Sequence, residues 1–181
     1  AFSGCTNLKN INLPKNLKTI SNWAFSNCTA LSEIRFDAIS MDDLALDNYV
    51  FSKAGTKLKL IIGNEVERVP ANLFYPCSQN TTSYNAKISI IEFEENTSCE
   101  SVGSRALPTG KKVYINDFAD WCKIKFTTAP QVSNFYLKGE LITDITIPDE
   151  VLRETDITYY NRIAEKGATA LLLINNGNQV A

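Results

Sequence analysis

Histidine is absent from this 181-residue chain, which narrows the chemistry that the chain can perform. Without imidazole, neither a Ser/His/Asp nor a Cys/His nucleophilic site can form, and neither can a metal site built on histidine. The glycine-rich phosphate loops G-x-G-x-x-G and G-x-x-x-x-G-K-S/T are absent as well. We therefore expect no nucleotide, and no other cofactor is indicated.

The chain also lacks an excess of either charge and lacks a long apolar run. Eighteen basic residues against twenty acidic ones give a net charge of -2, without the basic stripe that phosphate backbones need. No stretch approaches the roughly 20 apolar residues of a membrane span. These absences predict no nucleic-acid partner and no membrane insertion by this segment.

What the chain does contain is a repeated phrase. "AFSGCTNLKNINL" at the start returns as "AFSNCTALSEIRF" 23 residues later, with phenylalanine, cysteine, threonine and aliphatic residues in the same slots. Further copies follow Phe51 and Phe74. A fifth copy begins at "KKVYIN", where we expect an interruption by residues 117–141 before the pattern resumes at "ITDITIPDEV".

A period in the twenties around L-x-x-I-x-L is typical of a solenoid, in which each coil buries its apolar face against its neighbours. Within a coil, I-x-L has the two-residue period of a strand, so Ile11 and Leu13 point inward while Asn10 and Asn12 point outward. Stacked coils then form a parallel sheet with strands about 4.8 Å apart. The turn before each strand is predicted to bury its phenylalanine, beginning with Phe2.

The pattern "LxxIxLPxxLxxIxxxAFxxC", taken from residues 8–28, resembles the BspA-type leucine-rich repeat family. The resemblance extends over about residues 1–151. It implies a leucine-rich repeat solenoid of the α/β class, with about five coils, irregular returns and insertions. It further implies an extracellular or cell-surface location on a bacterial protein, a role in adhesion or host interaction, and no catalytic residue. We expect a monomer.

The two ends of the chain carry separate expectations. Residue 1 falls in the middle of a coil, so we expect the chain to be a fragment of a longer protein. After the solenoid at 1–151, residues 152–181 change character and predict a helix followed by a buried strand. This segment is either a cap on the open end of the solenoid or the start of the next module.

The five cysteines are predicted to be free thiols that fill small buried slots. Ala54 occupies the slot between Cys28 and Cys77, and a position that accepts either alanine or cysteine selects for size. A disulfide between Cys5 and Cys28 remains open, since adjacent coils lie within its range. No C-x-x-C pair supports a zinc site.

Acidic residues offer two further alternatives. Paired carboxylates, a requirement for glycoside cleavage, occur at Asp42/Asp43, Glu94/Glu95 and Asp149/Glu150. In "DFADW", Asp117 and Asp120 accompany two aromatic residues, an arrangement compatible with calcium or an aromatic pocket. We favour a loop whose rings pack back onto the solenoid, and we expect no metal site.

The leading hypothesis is a noncatalytic module that binds a protein or a glycan, with a structural spacer as the alternative and a glycosidase as a remote one. If the sheet binds, its outward residues make the contacts: Asn10, Asn12, Glu33, Arg35, Lys59, Ile61, Ile90 and Glu92. Phe135 and Tyr136 are additional candidates within the expected interruption.

Overall fold

A computed structural model describes residues 2–74, 88–108, 111–128 and 132–142 of the chain. Its elements are β1 (Asn10–Leu13), β2 (Glu33–Phe36), β3 (Leu58–Ile62), β4 (Arg68–Val69), β5 (Ile88–Phe93), β6 (Ser101–Val102), β7 (Lys111–Ile115), α1 (Phe118–Lys123), β8 (Lys125–Phe126), β9 (Val132–Leu137) and β10 (Glu140–Leu141). No helix in these ranges has the length and apolar character that crossing a membrane requires.

Two parallel sheets run along the molecule. The larger has the order β1-β2-β3-β5-β7-β9, with β10 antiparallel at its edge, and the smaller has the order β4-β6-β8. Successive coils therefore place their strands side by side. The predicted leucine-rich repeat solenoid with a parallel sheet is confirmed.

The core follows from the alternation within each strand. Leu13 and Phe36 are register partners in adjacent coils and are nearly fully buried. Farther along the same face, Leu60, Ile91 and Val113 form a column in which each side chain covers the next. Full burial of an aliphatic side chain contributes about 1.5 to 3 kcal/mol, so stacking supplies the main driving force for the fold.

The turns that precede the strands are stacked as well. Phe2, Phe25, Phe51 and Phe74 form a continuous stack with ring centroids 5.4, 5.5 and 5.1 Å apart. Backbone hydrogen bonds join the same turns, such as the one from Phe25 N to the Val50 carbonyl at 2.9 Å. The predicted burial of Phe2 is wrong, because only one of its faces is covered by Phe25 and 53% of the side chain is exposed.

The supposed interruption at 117–141 is another prediction that the structure corrects. Asp117 caps α1 by accepting hydrogen bonds from the amides of Ala119 and Asp120, at 2.7 and 3.2 Å. The helix buries Trp121, whose ring contacts Phe126 and Phe135 at centroid distances of 4.9 and 4.8 Å. The segment is therefore part of the solenoid: α1 and β8 complete one coil, and β9 begins the next.

Some of the sequence predictions fall outside the described residues. These are the loop after Phe74 with Cys77, the repeat expected at 145–151, and the cap or next module expected at 152–181. They remain predictions.

A buried asparagine links the return segments of two adjacent coils, which connect the strands of the large sheet. Asn48 is fully buried, and its side-chain amide donates to the carbonyls of Ala45 at 2.7 Å and Asn72 at 2.9 Å. Its side-chain oxygen accepts from the Val50 amide at 3.0 Å. Because Asn72 belongs to the next coil, this one side chain satisfies backbone groups in two coils.

We expect Asn48→Ala to lower the free energy of unfolding by about 3 kcal/mol, since the substitution leaves buried backbone groups without partners. Urea unfolding followed by circular dichroism measures this loss. The exposed Asn12 supplies the control, because Asn12→Ala should change stability by less than about 0.5 kcal/mol. Equal effects of the two substitutions would contradict the assigned role of Asn48.

Candidate functional site

The outward side chains of the large sheet form two rows that cross its strands. One row contains Asn10, Glu33, Lys59, Ile90, Lys112 and Asn134. The other contains Asn12, Arg35, Ile61, Glu92, Tyr114 and Tyr136. The eight outward residues predicted from the sequence all lie in these rows, and we call this surface the outer face.

Ion pairs within the protein occupy the charged part of the outer face. Arg35 donates through Nη1 and Nη2 to both carboxylate oxygens of Glu94, at 2.5 and 2.9 Å, and through Nε to Asp37 at 2.8 Å. The hydrogen bonds that Arg35 donates to Glu94 and, second in size, to Asp37 raise the pKa of Arg35 above its ordinary value. The same bidentate contact lowers the pKa of the Glu94 carboxyl, although partial burial opposes this shift.

The position of Asp37 beside Arg35 depends on a glycine in the next coil. Asp37, Gly63 and Glu94 each follow a strand of the sheet, in three successive coils. A Cβ atom at Gly63 would lie 2.2 Å from Oδ1 of Asp37. The missing side chain therefore leaves room for the Asp37 carboxylate beside Arg35.

A second ion pair lies farther along the outer face. Lys59 Nζ is 2.7 Å from a carboxylate oxygen of Glu92, and both side chains are about one third exposed. Arg35, Lys59 and Glu92, three of the predicted contact residues, are thus already paired with other residues of the chain. A ligand that used them would have to compete with these contacts.

The other part of the outer face is aromatic. Tyr114 and Tyr136 are register partners on β7 and β9, and their rings stack with centroids 4.4 Å apart and planes inclined by 6°. Both are half-buried. Leu141 on β10 is the register partner of Tyr136 and is 48% exposed. We call Tyr114, Tyr136 and Leu141 the tyrosine patch.

A positive charge flanks the tyrosine patch. Lys112 is exposed, and its Nζ lies 5.9 Å from the centroid of the Tyr136 ring. This distance is within the range of a cation–π contact. The ammonium group, the two phenol groups and the leucine side chain together combine charge, hydroxyl and apolar character in one small area.

The two candidates that the sequence placed in the interruption, Phe135 and Tyr136, lie on opposite faces of β9. Phe135 is an inward residue of β9, 2% exposed and in contact with Trp121, so its prediction as a ligand contact is wrong. Tyr136, the next residue, lies on the outer face as alternation requires. Tyr114, Lys112 and Leu141 were missed, although the alternation of "KKVYI" placed Lys112 and Tyr114 outward.

The remaining candidates are used by the fold itself. Asp117 caps α1 and Asp120 binds Lys123 at 3.2 Å, while the rings of Phe118 and Trp121 pack into the core as favoured from the sequence. Among the described residues, no three Cys, Asp or Glu side chains form a group suited to a metal ion. Cys5, Cys28 and Cys99 are free thiols, as predicted. The predicted burial is confirmed for Cys28, Cys99 and Cys122 and is wrong for Cys5, which is exposed.

A comparison with known families places the solenoid in context. The BspA-type leucine-rich repeat region matches residues 1–103 and 44–138 of the chain, with six copies. The chain belongs to the BspA-type leucine-rich repeat family. This family is associated with bacterial surface proteins, and BspA-type repeats are typically noncatalytic. No curated protein and no solved structure matches the chain.

The Arg35 contact predicts a pH-dependent contribution to the stability of this BspA-type module. The pKa of Glu94 lies below the ordinary glutamate value of 4.5 in the folded state. The contact therefore stabilises the fold above that value and loses its contribution as the pH falls through the folded-state pKa. We expect Glu94→Gln to cost about 1 kcal/mol at pH 7, allowing for solvent screening.

Urea unfolding at pH 7 and at a series of lower pH values checks this expectation, since the difference between Glu94→Gln and the parent chain should shrink as Glu94 becomes protonated. Glu95 is exposed and adjacent, which makes Glu95→Gln the matched control. A difference that stayed unchanged as the pH fell would contradict a contribution from the Glu94 charge.

Proposed function

We propose that the chain is a noncatalytic recognition module of a bacterial surface protein, which binds a protein through the outer face and does so mainly with the tyrosine patch. The observation that carries this proposal is the stacked pair of Tyr114 and Tyr136 on a hydrogen-bonded sheet. Tyrosine is enriched among the residues that dominate binding energies, and a rigid backbone lowers the entropy lost on binding.

The geometry of the pair favours a protein over a glycan. In a stack with 4.4 Å between centroids, each ring directs one face at the other, so the rings present edges and hydroxyl groups outward. A sugar ring stacks best on an open aromatic face, whereas tyrosine edges and hydroxyl groups suit the mixed surface of a protein. A glycan is the alternative outcome of the binding test.

The charged part of the outer face supports a smaller role in binding. Arg35, Lys59 and Glu92 form ion pairs within the sheet, so a ligand gains little from them without breaking existing contacts. We propose that these ion pairs stabilise neighbouring strands of the sheet and select against ligands whose charges do not match them.

The electrostatics of Glu94 support a noncatalytic module. A glycosidase needs one carboxyl group with a raised pKa to act as a general acid. Arg35 shifts the pKa of Glu94 in the opposite direction. Asp43, from another candidate pair, bonds to Arg68 and to the Ala71 amide.

The test is binding of the chain to panels of immobilised host-matrix proteins and bacterial surface proteins, with a glycan array beside them. We expect saturable binding to a protein, weakened at least about tenfold by Tyr114→Ala with Tyr136→Ala, because tyrosine contacts at interface centres often dominate affinity. Two matched controls lie on the same face: Asn10→Ala with Asn12→Ala, and Lys59→Ser with Glu92→Ser, which removes both members of an ion pair.

Each outcome has a defined meaning. Binding retained by the tyrosine variant and lost in Lys59→Ser with Glu92→Ser would move the site to the charged part of the outer face. Binding to glycans alone would overturn the preference for a protein ligand. No binding to either panel would favour a structural spacer.

A further inference from the structure

The positive charge beside the tyrosine patch has no carboxylate partner among the described residues. Arg35 and Lys59, the other two cations in the rows of the outer face, both form ion pairs. None of the ion pairs between described residues includes Lys112. Its Nζ instead lies 5.9 Å from the centroid of the Tyr136 ring. The outer face therefore keeps an unpaired cation beside the residues proposed to bind a protein.

Two acidic residues on neighbouring strands are directed elsewhere. The carboxylate of Glu92 lies 2.7 Å from Lys59 Nζ. Glu140 opposes Leu137, which packs against the core, whereas the next residue of β10 opposes Tyr136. Directly opposed residues lie on one side of a sheet, so Glu140 and Tyr136 lie on different sides. Neither acid neutralises Lys112.

The tyrosine patch adds further groups that attract negative charge. The rings of Tyr114 and Tyr136 stack with their planes inclined by 6° and therefore present edges outward. The edge of an aromatic ring carries the positive part of its quadrupole, and a phenol hydroxyl group donates a hydrogen bond. The ammonium group of Lys112 contributes three donors and no acceptor. A carboxylate thus finds several favourable contacts within one small area.

A protein that covers the tyrosine patch also covers Lys112, because the ammonium group lies so close to the Tyr136 ring. Removing a charge from water without a counter-charge is unfavourable, and complementary charges decide which partners an interface accepts. The described part of the outer face supplies no carboxylate to Lys112. The counter-charge therefore has to come from the ligand.

We infer that the ligand of the outer face is an acidic protein segment, which places an aspartate or glutamate against Lys112 and the tyrosine hydroxyl groups and an apolar side chain against Leu141. This inference rests on the proposed function, since it names the chemistry of the ligand that the tyrosine patch binds. The net charge of the whole chain is -2, so the preference for an acidic ligand comes from the local arrangement.

The test is an array of short synthetic peptides, in which each sequence that contains aspartate or glutamate has a counterpart with asparagine or glutamine in its place. The full chain is the probe, and fluorescence anisotropy then measures the affinity for selected peptides in solution. We expect binding to acidic peptides that also contain an apolar residue. Their amide counterparts should bind at least about tenfold more weakly, because they cannot neutralise Lys112.

Substitution of the lysine separates the local contact from general attraction to positive charge. Lys112→Met removes the charge and keeps a long unbranched side chain, and it should reduce the preference for acidic peptides by at least about threefold. Lys125 is an exposed strand residue of the smaller sheet, which makes Lys125→Met the matched control. That control should leave the preference unchanged.

Equal binding of acidic peptides and their amide counterparts would overturn the inference, and so would a preference for basic peptides. It is overturned as well if Lys112→Met and Lys125→Met weaken the preference equally, or if no peptide binds. The proposed function has a separate criterion. A protein ligand that is lost with Tyr114→Ala and Tyr136→Ala but shows no preference for acidic peptides would leave the proposed function standing and remove this inference alone.

Discussion

A coil of this protein cannot bury its own apolar side chains, and every other feature of the structure depends on that constraint. Along the inward column from Leu60 through Ile91 and Val113 to Phe135, each side chain stacks on its register partner in the neighbouring coil, 22 or 31 positions away. Burial therefore requires the coils to stack in register. The phenylalanine stack and the backbone bonds between turns extend the same register to the return segments.

The register also determines what the surface can do. Because inward residues align across strands, the outward residues between them align as well, and side chains distant in sequence become neighbours. In one part of the outer face, oppositely charged side chains from different coils form ion pairs with one another. In another part it is the tyrosine patch with Lys112 beside it, a combination of groups that no single coil contains.

The sequence predicted the fold in its regular coils because the strand and phenylalanine slots recur there at a nearly constant spacing. It missed β9 because α1 replaces the usual return before that strand, although Phe135 follows Val113 by 22 residues and "VSNFYL" keeps the alternation of a strand. Phe2 was wrongly predicted to be buried because burial depends on coils on both sides of the ring.

The candidate site was less predictable for a physical reason. Alternation identifies outward residues, but it does not specify which of their charges are paired. The contact from Arg35 to Glu94 joins residues 59 positions apart. The room for Asp37 beside Arg35 depends on the absence of a side chain at Gly63, which lies in another coil. The stacking of Tyr114 on Tyr136 likewise requires knowledge that β7 and β9 are neighbours.

The most direct test of this account is a nuclear Overhauser measurement between the ring protons of Tyr114 and Tyr136, made with selectively labelled tyrosine and assigned by substitution of each residue. In-register stacking of β7 on β9 places the ring centroids 4.4 Å apart, and the account therefore predicts a strong cross-peak. Absence of that cross-peak in the folded chain would contradict both the register and the tyrosine patch that depends on it.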